Sequence, residues 1–141
     1  MTKTIAAGAL LLVVGFALPA DAAGALAVGT TANVAKDGIA FGTAWNYESE
    51  AKARDVALDN CKKFKGAARA VRQCRLVGSF DGECYAISMD PKVGTPGAGW
   101  AIAATKALAE ARATDNCRAA AGRGRTEFCK VTESNCDSAK K

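Results

Sequence analysis

The 141-residue chain contains no histidine. That removes serine–histidine and cysteine–histidine nucleophile pairs and every imidazole metal ligand. Any catalysis would have to rest on carboxylates, lysine or tyrosine. No Cys-x-x-Cys occurs, and the gaps of 13, 10, 33, 12 and 7 residues between the six cysteines match no zinc finger. No metal and no other cofactor is therefore expected. Aromatic residues make up only 6% of the chain, and Phe64 alone interleaves the main basic run, so a stacking platform for nucleic acid is missing. Long apolar runs are scarce as well. The longest, Ile5–Leu18, is too short to span a bilayer.

That run follows Lys3, is broken by Pro19 and is followed by the small residues Ala20 and Ala22. The arrangement predicts a secretory signal over residues 1–22, cleaved near Ala22/Ala23. The product would be a secreted or periplasmic chain of residues 23–141, one domain with no transmembrane segment. No cysteine follows the cleavage point, which argues against a lipid anchor. All six cysteines lie in the mature part, and export with an even count predicts disulfides.

What the chain has in abundance is self-similarity. Residues 55–61 read DVALDNC and residues 111–117 read ARATDNC. With Cys61 set on Cys117, Ser49 falls on Thr105, two helix N-caps, and Trp45 falls beside Trp100 in GTAW and GAGW. Internal duplication is the best single account. It predicts repeat one over about 24–90 and repeat two over about 97–136. Alanine-rich helices are expected at 49–64 and 105–120. Their apolar stripes are Ala53, Val56, Ala57, Cys61 and Phe64 in the first and Ala109, Ala113 and Cys117 in the second. GALAVGT, GIAFGTAW, CRLVGSF, ECYAISM, GWAIA and TEFCKVTE read as strands. The expected fold class is α+β: a disulfide-stabilised antiparallel sheet with two helices, built from two pseudo-twofold-related strand-helix-strand repeats.

Asp81-Gly82 is the strongest hairpin signal, of the kind that makes a type I′ turn. Such a hairpin would set Ser79 opposite Cys84 and leave Cys74 about 17 Å down the strand. Disulfide Cα atoms lie within about 7 Å. Cys74 then returns to Cys61, the repeat pairs Cys117 with Cys129, and Cys84 and Cys136 remain for each other. This is one of 15 ways to pair six cysteines.

The Gly-Trp element, the helix SEAKARDVALDNC, the strand opening CRLVG and the strand CYAISM resemble the domain of unknown function 4189 family of secreted bacterial proteins, over about residues 24–136. The resemblance implies secretion, disulfides and repeat architecture. It implies no catalytic residue, since the family has no assigned activity.

Charge is the remaining local feature. The chain carries a net +5, and KKFKGAARAVRQCR at 62–75 holds Lys62, Lys63, Lys65, Arg69, Arg72 and Arg75 with no acid. Arg118, Arg123, Arg125 and Lys130 echo it in the second half. The two together predict one basic edge that concentrates anions, against the plainer reading of a solvated loop. The candidate anion-binding residues are Lys62, Lys63, Lys65, Arg69, Arg72, Arg75, Arg123 and Arg125. GRGR at 122–125 lacks the spacing of a phosphate loop and reads as a turn after the helix, with Gly122 as its cap. Trp45 and Trp100 read as core rather than as a sugar platform. Glu48, Glu50, Asp81 and Glu83 invite comparison with a hydrolase pair, yet the first two belong at a helix start and Asp81 in a turn. The expected role is a non-enzymatic secreted or periplasmic binding module touching an anionic envelope component or a partner protein. The alternatives are a small secreted enzyme, by thiol–disulfide exchange or carboxylate-based hydrolysis, and a macromolecular enzyme inhibitor.

Overall fold

The computed structural model describes residues 23–137. The expected signal segment and its cleavage lie outside the described residues. The elements in chain order are β1 (Ala23–Gly29), α1 (Val34–Asp37), β2 (Ala40–Tyr47), α2 (Glu50–Lys62), α3 (Ala68–Val71), β3 (Arg75–Phe80), β4 (Cys84–Met89), β5 (Ala98–Ala103), α4 (Lys106–Ala120) and β6 (Lys130–Cys136). A short 3-10 turn at Thr126–Phe128 precedes β6.

β1 and β4 read as nearly continuous apolar runs, and each is buried almost along its length. A strand apolar on both sides must be covered on both faces. Each is accordingly the centre of a three-stranded antiparallel sheet, in the orders β2-β1-β3 and β5-β4-β6. Alternation of side chains along a strand sorts residues by size. Ala23, Ala25 and Ala27 of β1 pack under α2 with Ala53, Ala57 and Cys61. Cys84 and Ala86 of β4 pack with Ala109 and Ala113 of α4. The intervening Leu26 and Val28 meet Tyr85 and Ile87 across the gap between the sheets, joined by Phe41 and Phe80. The layers run helix, sheet, sheet, helix, with small residues beneath the helices and large ones between the sheets. The α+β class, the antiparallel pairing and the two long helices follow the sequence expectation.

Three details differ from it. The six strands form two sheets rather than one. The Asp81-Gly82 hairpin is absent: β3 pairs with β1 and β4 with β5 and β6, so residues 81–83 connect the sheets. Among these residues only Gly82 has a positive φ, 65°, whereas a type I′ turn needs two. With both edges of β4 occupied, no edge is left for β3. Consequently β4 belongs to the second sheet, and the order central strand, edge strand, helix, opposite edge strand runs over 23–80 and again over 84–136.

The doubled Asp-Asn-Cys segment is explained by what each residue does. Asn60 donates to the carbonyl of Thr43 at 3.0 Å and Asn116 to that of Trp100 at 2.9 Å, tying each helix end to the edge strand beside it. Asp59 pairs with Lys63 and Asp115 with Arg118, one helical turn on. The structure joins Cys61 to Cys74, Cys117 to Cys129 and Cys84 to Cys136. The first two clamp a helix end to the segment leading into the far edge strand; the third links directly opposed residues of β4 and β6. Ser49 and Thr105 cap α2 and α4, accepting from the amides of Lys52 and Leu108.

Candidate functional site

The basic run unfolds into an exposed strip. Gly66, at φ 95°, turns the chain after α2. The single turn α3 then buries only Ala70 and leaves the cations outside. Lys62, Lys65, Arg72, Arg75 and Arg123 have no acidic partner among the described residues. Three other candidates are engaged. Lys63 pairs with Asp59 at 2.6 Å, Arg69 with Asp37 at 3.3 Å and Arg125 with Asp90 at 2.6 Å.

The last pair is structural. Asp90 is buried, and Arg125 grips it with Nε to Oδ2 at 2.7 Å and a terminal nitrogen to Oδ1 at 2.6 Å, a fork-to-fork geometry. The Lys92 amide adds a third hydrogen bond, and Arg125 stacks on the Phe128 ring at 4.2 Å. Arg125 is thus withdrawn from anion binding, because its fork is filled by the chain's own carboxylate. Arg69 and Arg125 both stand eight residues after the aligned cysteines, and both reach an aspartate in the first strand–strand connection of their unit. Sequence reading missed these pairs, although the shared offset of 56 marks the two arginines.

Asp37 and Asp90 stand in the walls of a groove of about 370 Å³ formed by α1, residues 64–67 and the loop 90–97. Lys36, Lys65 and Lys92 border it, and Phe64 and Val93 project beside them. Val93 is 97% exposed at the loop tip. Lys36, Lys92 and Val93 were not singled out from sequence; for Lys92 and Val93 the signal was the Pro91 and Pro96 punctuation of their loop.

The Arg125 guanidinium first, and the Lys92 amide after it, hold the Asp90 carboxyl down at about 2 against the opposing effect of burial. A depressed folded-state value stabilises the fold above the ordinary carboxylate range and is lost as pH falls through about 2. Arg125→Ala should lower Tm at pH 7 and flatten its decline between about pH 4 and pH 2. Thermal melts across that range check this; an unchanged acid limb would refute it.

A second concavity, about 620 Å³, is acidic. Ala23, Glu48, Glu50, Ser79, Asp81 and Glu83 line it. The four carboxylates considered from sequence are therefore brought together, although no group of acids in the described residues is arranged to hold a metal. Glu50 accepts from Ser79 at 2.6 Å and pairs with Arg54, and the Ser79 hydroxyl chiefly keeps its carboxyl below the usual range. Between the sheets, Tyr85 and Thr43 both donate to Glu133; burial first, then Glu133, pushes the Tyr85 phenol up to about 12. Trp100 packs edge-on against Phe41, while Trp45, beside Tyr85, remains 37% exposed.

The sequence profile described as Domain of unknown function (DUF4189) matches residues 23–136. The chain belongs to this family. The match spans both sheets and all three bridges. A solved structure of similar shape is the NMR structure of Rv1813c from Mycobacterium tuberculosis, 20% identical over 97% of this chain and 98% of that one, with a TM-score of 0.47. No curated protein matches the chain. No described helix of this family member is long and apolar enough to cross a membrane.

Proposed function

We propose that the protein is an exported, disulfide-bonded binding module without catalytic activity that docks on anionic lipid surfaces of the envelope. The observation that carries this reading is the groove rim. Lys36, Lys65 and Lys92 surround a partly apolar depression, with Lys62 on the adjoining strip, and the exposed Phe64 and Val93 stand among them. Cations around apolar tips suit a headgroup layer, where the charges meet phosphates and the tips enter the acyl boundary. Three bridged cysteine pairs fit the oxidising compartment that export would reach.

Each surface lysine contributes about 1 kcal/mol near an anionic leaflet at low salt. Lys62→Glu/Lys65→Glu/Lys92→Glu should weaken binding to phosphatidylglycerol vesicles about 100-fold or more. Wild-type binding should fall steeply with ionic strength. Vesicle sedimentation measures both. Equal retention of the two proteins, or wild-type retention indifferent to salt, would end the proposal.

A further inference from the structure

The acidic cleft contains the point at which the chain would begin after processing. Ala23 is the first residue of β1, is buried, and lines the cleft with Glu48, Glu50, Asp81 and Glu83. Behind it stands Asp137, 3% exposed, whose Oδ2 is buried without a hydrogen-bond partner. Three contacts fix its place. Its amide donates to the Glu83 carbonyl at 3.0 Å, its Oδ1 accepts from the Asn46 amide at 2.8 Å, and the Gly24 amide faces its carboxylate. The Ala23 nitrogen is within about 3.7 Å of the Gly24 nitrogen by covalent geometry, and hence within about 7 Å of that carboxylate.

A buried carboxylate lacking a cation is costly, and one next to other acids more so. Burial foremost, with the Asp81 charge, raises the Asp137 carboxyl, opposed by the Asn46 and Gly24 amides. Among the described residues the cleft lining offers no lysine or arginine, and Arg54 reaches only Glu50. What the described lining lacks is a compact donor of several hydrogen bonds with a positive charge.

We infer that the cleft is a receptor for the chain's own α-ammonium, created by cleavage between Ala22 and Ala23, which enters among Asp81, Glu83 and Asp137 and locks β1 in place. The inference rests on the export proposed above. Hydrolysis of the Ala22–Ala23 peptide by the exporting cell's signal peptidase leaves a carboxylate on the released segment and an amine on Ala23, protonated at neutral pH. Before cleavage Ala23 has a neutral amide, so the acids repel one another uncompensated. The ammonium meets Glu48 from the end of β2, Glu50 with its Arg54 from α2, Asp81 and Glu83 from the intersheet connection, Asp137 from beyond β6, and Tyr47 opposite on β2.

A group whose proton is held more tightly in the folded state stabilises the fold below its unfolded pKa and loses that effect as pH rises through the folded one. The test expresses the full chain with its own leader, recovers the exported protein, reads its N-terminus by intact mass, and titrates the α-amine by NMR after 13C-methylation, with a urea-unfolded control. The expected results are a chain beginning at Ala23 and a folded-state midpoint at least one pH unit above the control, which itself lies near the ordinary 7.7–8.0. Asp137→Asn should erase most of the shift. Because Asp137 is buried, Asp81→Asn/Glu83→Gln is the second variant, and with its circular dichroism unchanged it must also lower the midpoint. An exported chain starting elsewhere, a folded midpoint equal to the control, or an Asp81→Asn/Glu83→Gln midpoint equal to wild type overturns the inference and leaves export intact. A chain retained in the cytoplasm with residues 1–22 attached overturns both.

Discussion

The Cys84→Ala/Cys136→Ala variant loses about 4 kcal/mol of stability, more than the loss of either other bridge. Cys84 opens the central strand of the second sheet and Cys136 closes its last edge strand, 52 residues later. The enclosed loop holds the rest of β4, then β5, α4 and β6. Without the crosslink the unfolded chain regains the freedom of that loop. The nested Cys117–Cys129 bridge shortens the effective loop only to about 40 residues, which barely alters a logarithmic dependence. Cys61–Cys74 and Cys117–Cys129 close separations of 13 and 12 residues and are each worth about 3 kcal/mol. The ordering is the sharper test, because native contacts around the three bridges differ while the entropy account depends on loop length alone. Urea unfolding of the three paired-alanine variants reads it directly. A Cys84/Cys136 loss smaller than both others would show that native-state packing, not chain entropy, dominates.

The helices, their caps and their buried stripes were legible because they depend on local spacing: Ser49 and Thr105 three residues before a backbone amide, Ala53, Ala57 and Cys61 at four-residue steps. Sheet membership was not, because it depends on which strand edges remain free. Asp81-Gly82 carries the right turn chemistry, yet β4 has β5 and β6 on its two edges, and local sequence holds no record of that. The cysteine reasoning shows the same limit. Repeat equivalence points to helix-end cysteines bridging within their own halves. The supposed hairpin distance between Cys74 and Cys84 plays no part, since the two flank strands in different sheets. At the candidate sites, the exposure of the 62–75 cations was legible from their density. The diversion of Arg69 and Arg125 into Asp37 and Asp90 was not, because each partner lies more than thirty residues away. The Asp137 carboxylate went unnoticed because it stands alone in sequence and reaches Glu83 and Asn46 only through the path of β6.

The alignment of tryptophans concealed the more consequential pair, Gly42 and Gly99. A Cβ at Gly42 of β2 would overlap the Ala57 carbonyl oxygen and the Cys61 nitrogen of α2; one at Gly99 of β5 would overlap the Ala113 carbonyl oxygen and the Cys117 nitrogen of α4. The obstructing atoms are helix backbone, so no side-chain rotation relieves the clash. Nor can the helix retreat freely. The Asn60 and Asn116 amides hold it to the carbonyls just beyond each glycine, and Cys61 and Cys117 are bridged at the point of contact. The approach at van der Waals distance is what lets an alanine stripe with little apolar area per residue exclude water. Gly42→Ala and Gly99→Ala should each cost about 3 kcal/mol or more, at the upper end for overpacking, because helix and sheet must separate along the whole stripe. Gly78→Ala is the control: its nearest neighbour is the flexible end of Ile102 at 3.2 Å, so its urea midpoint should stay close to wild type. Urea midpoints of Gly42→Ala or Gly99→Ala no lower than that of Gly78→Ala would mean that the helices ride farther from their sheets, and that the doubled Asn and Cys ties do not hold them close.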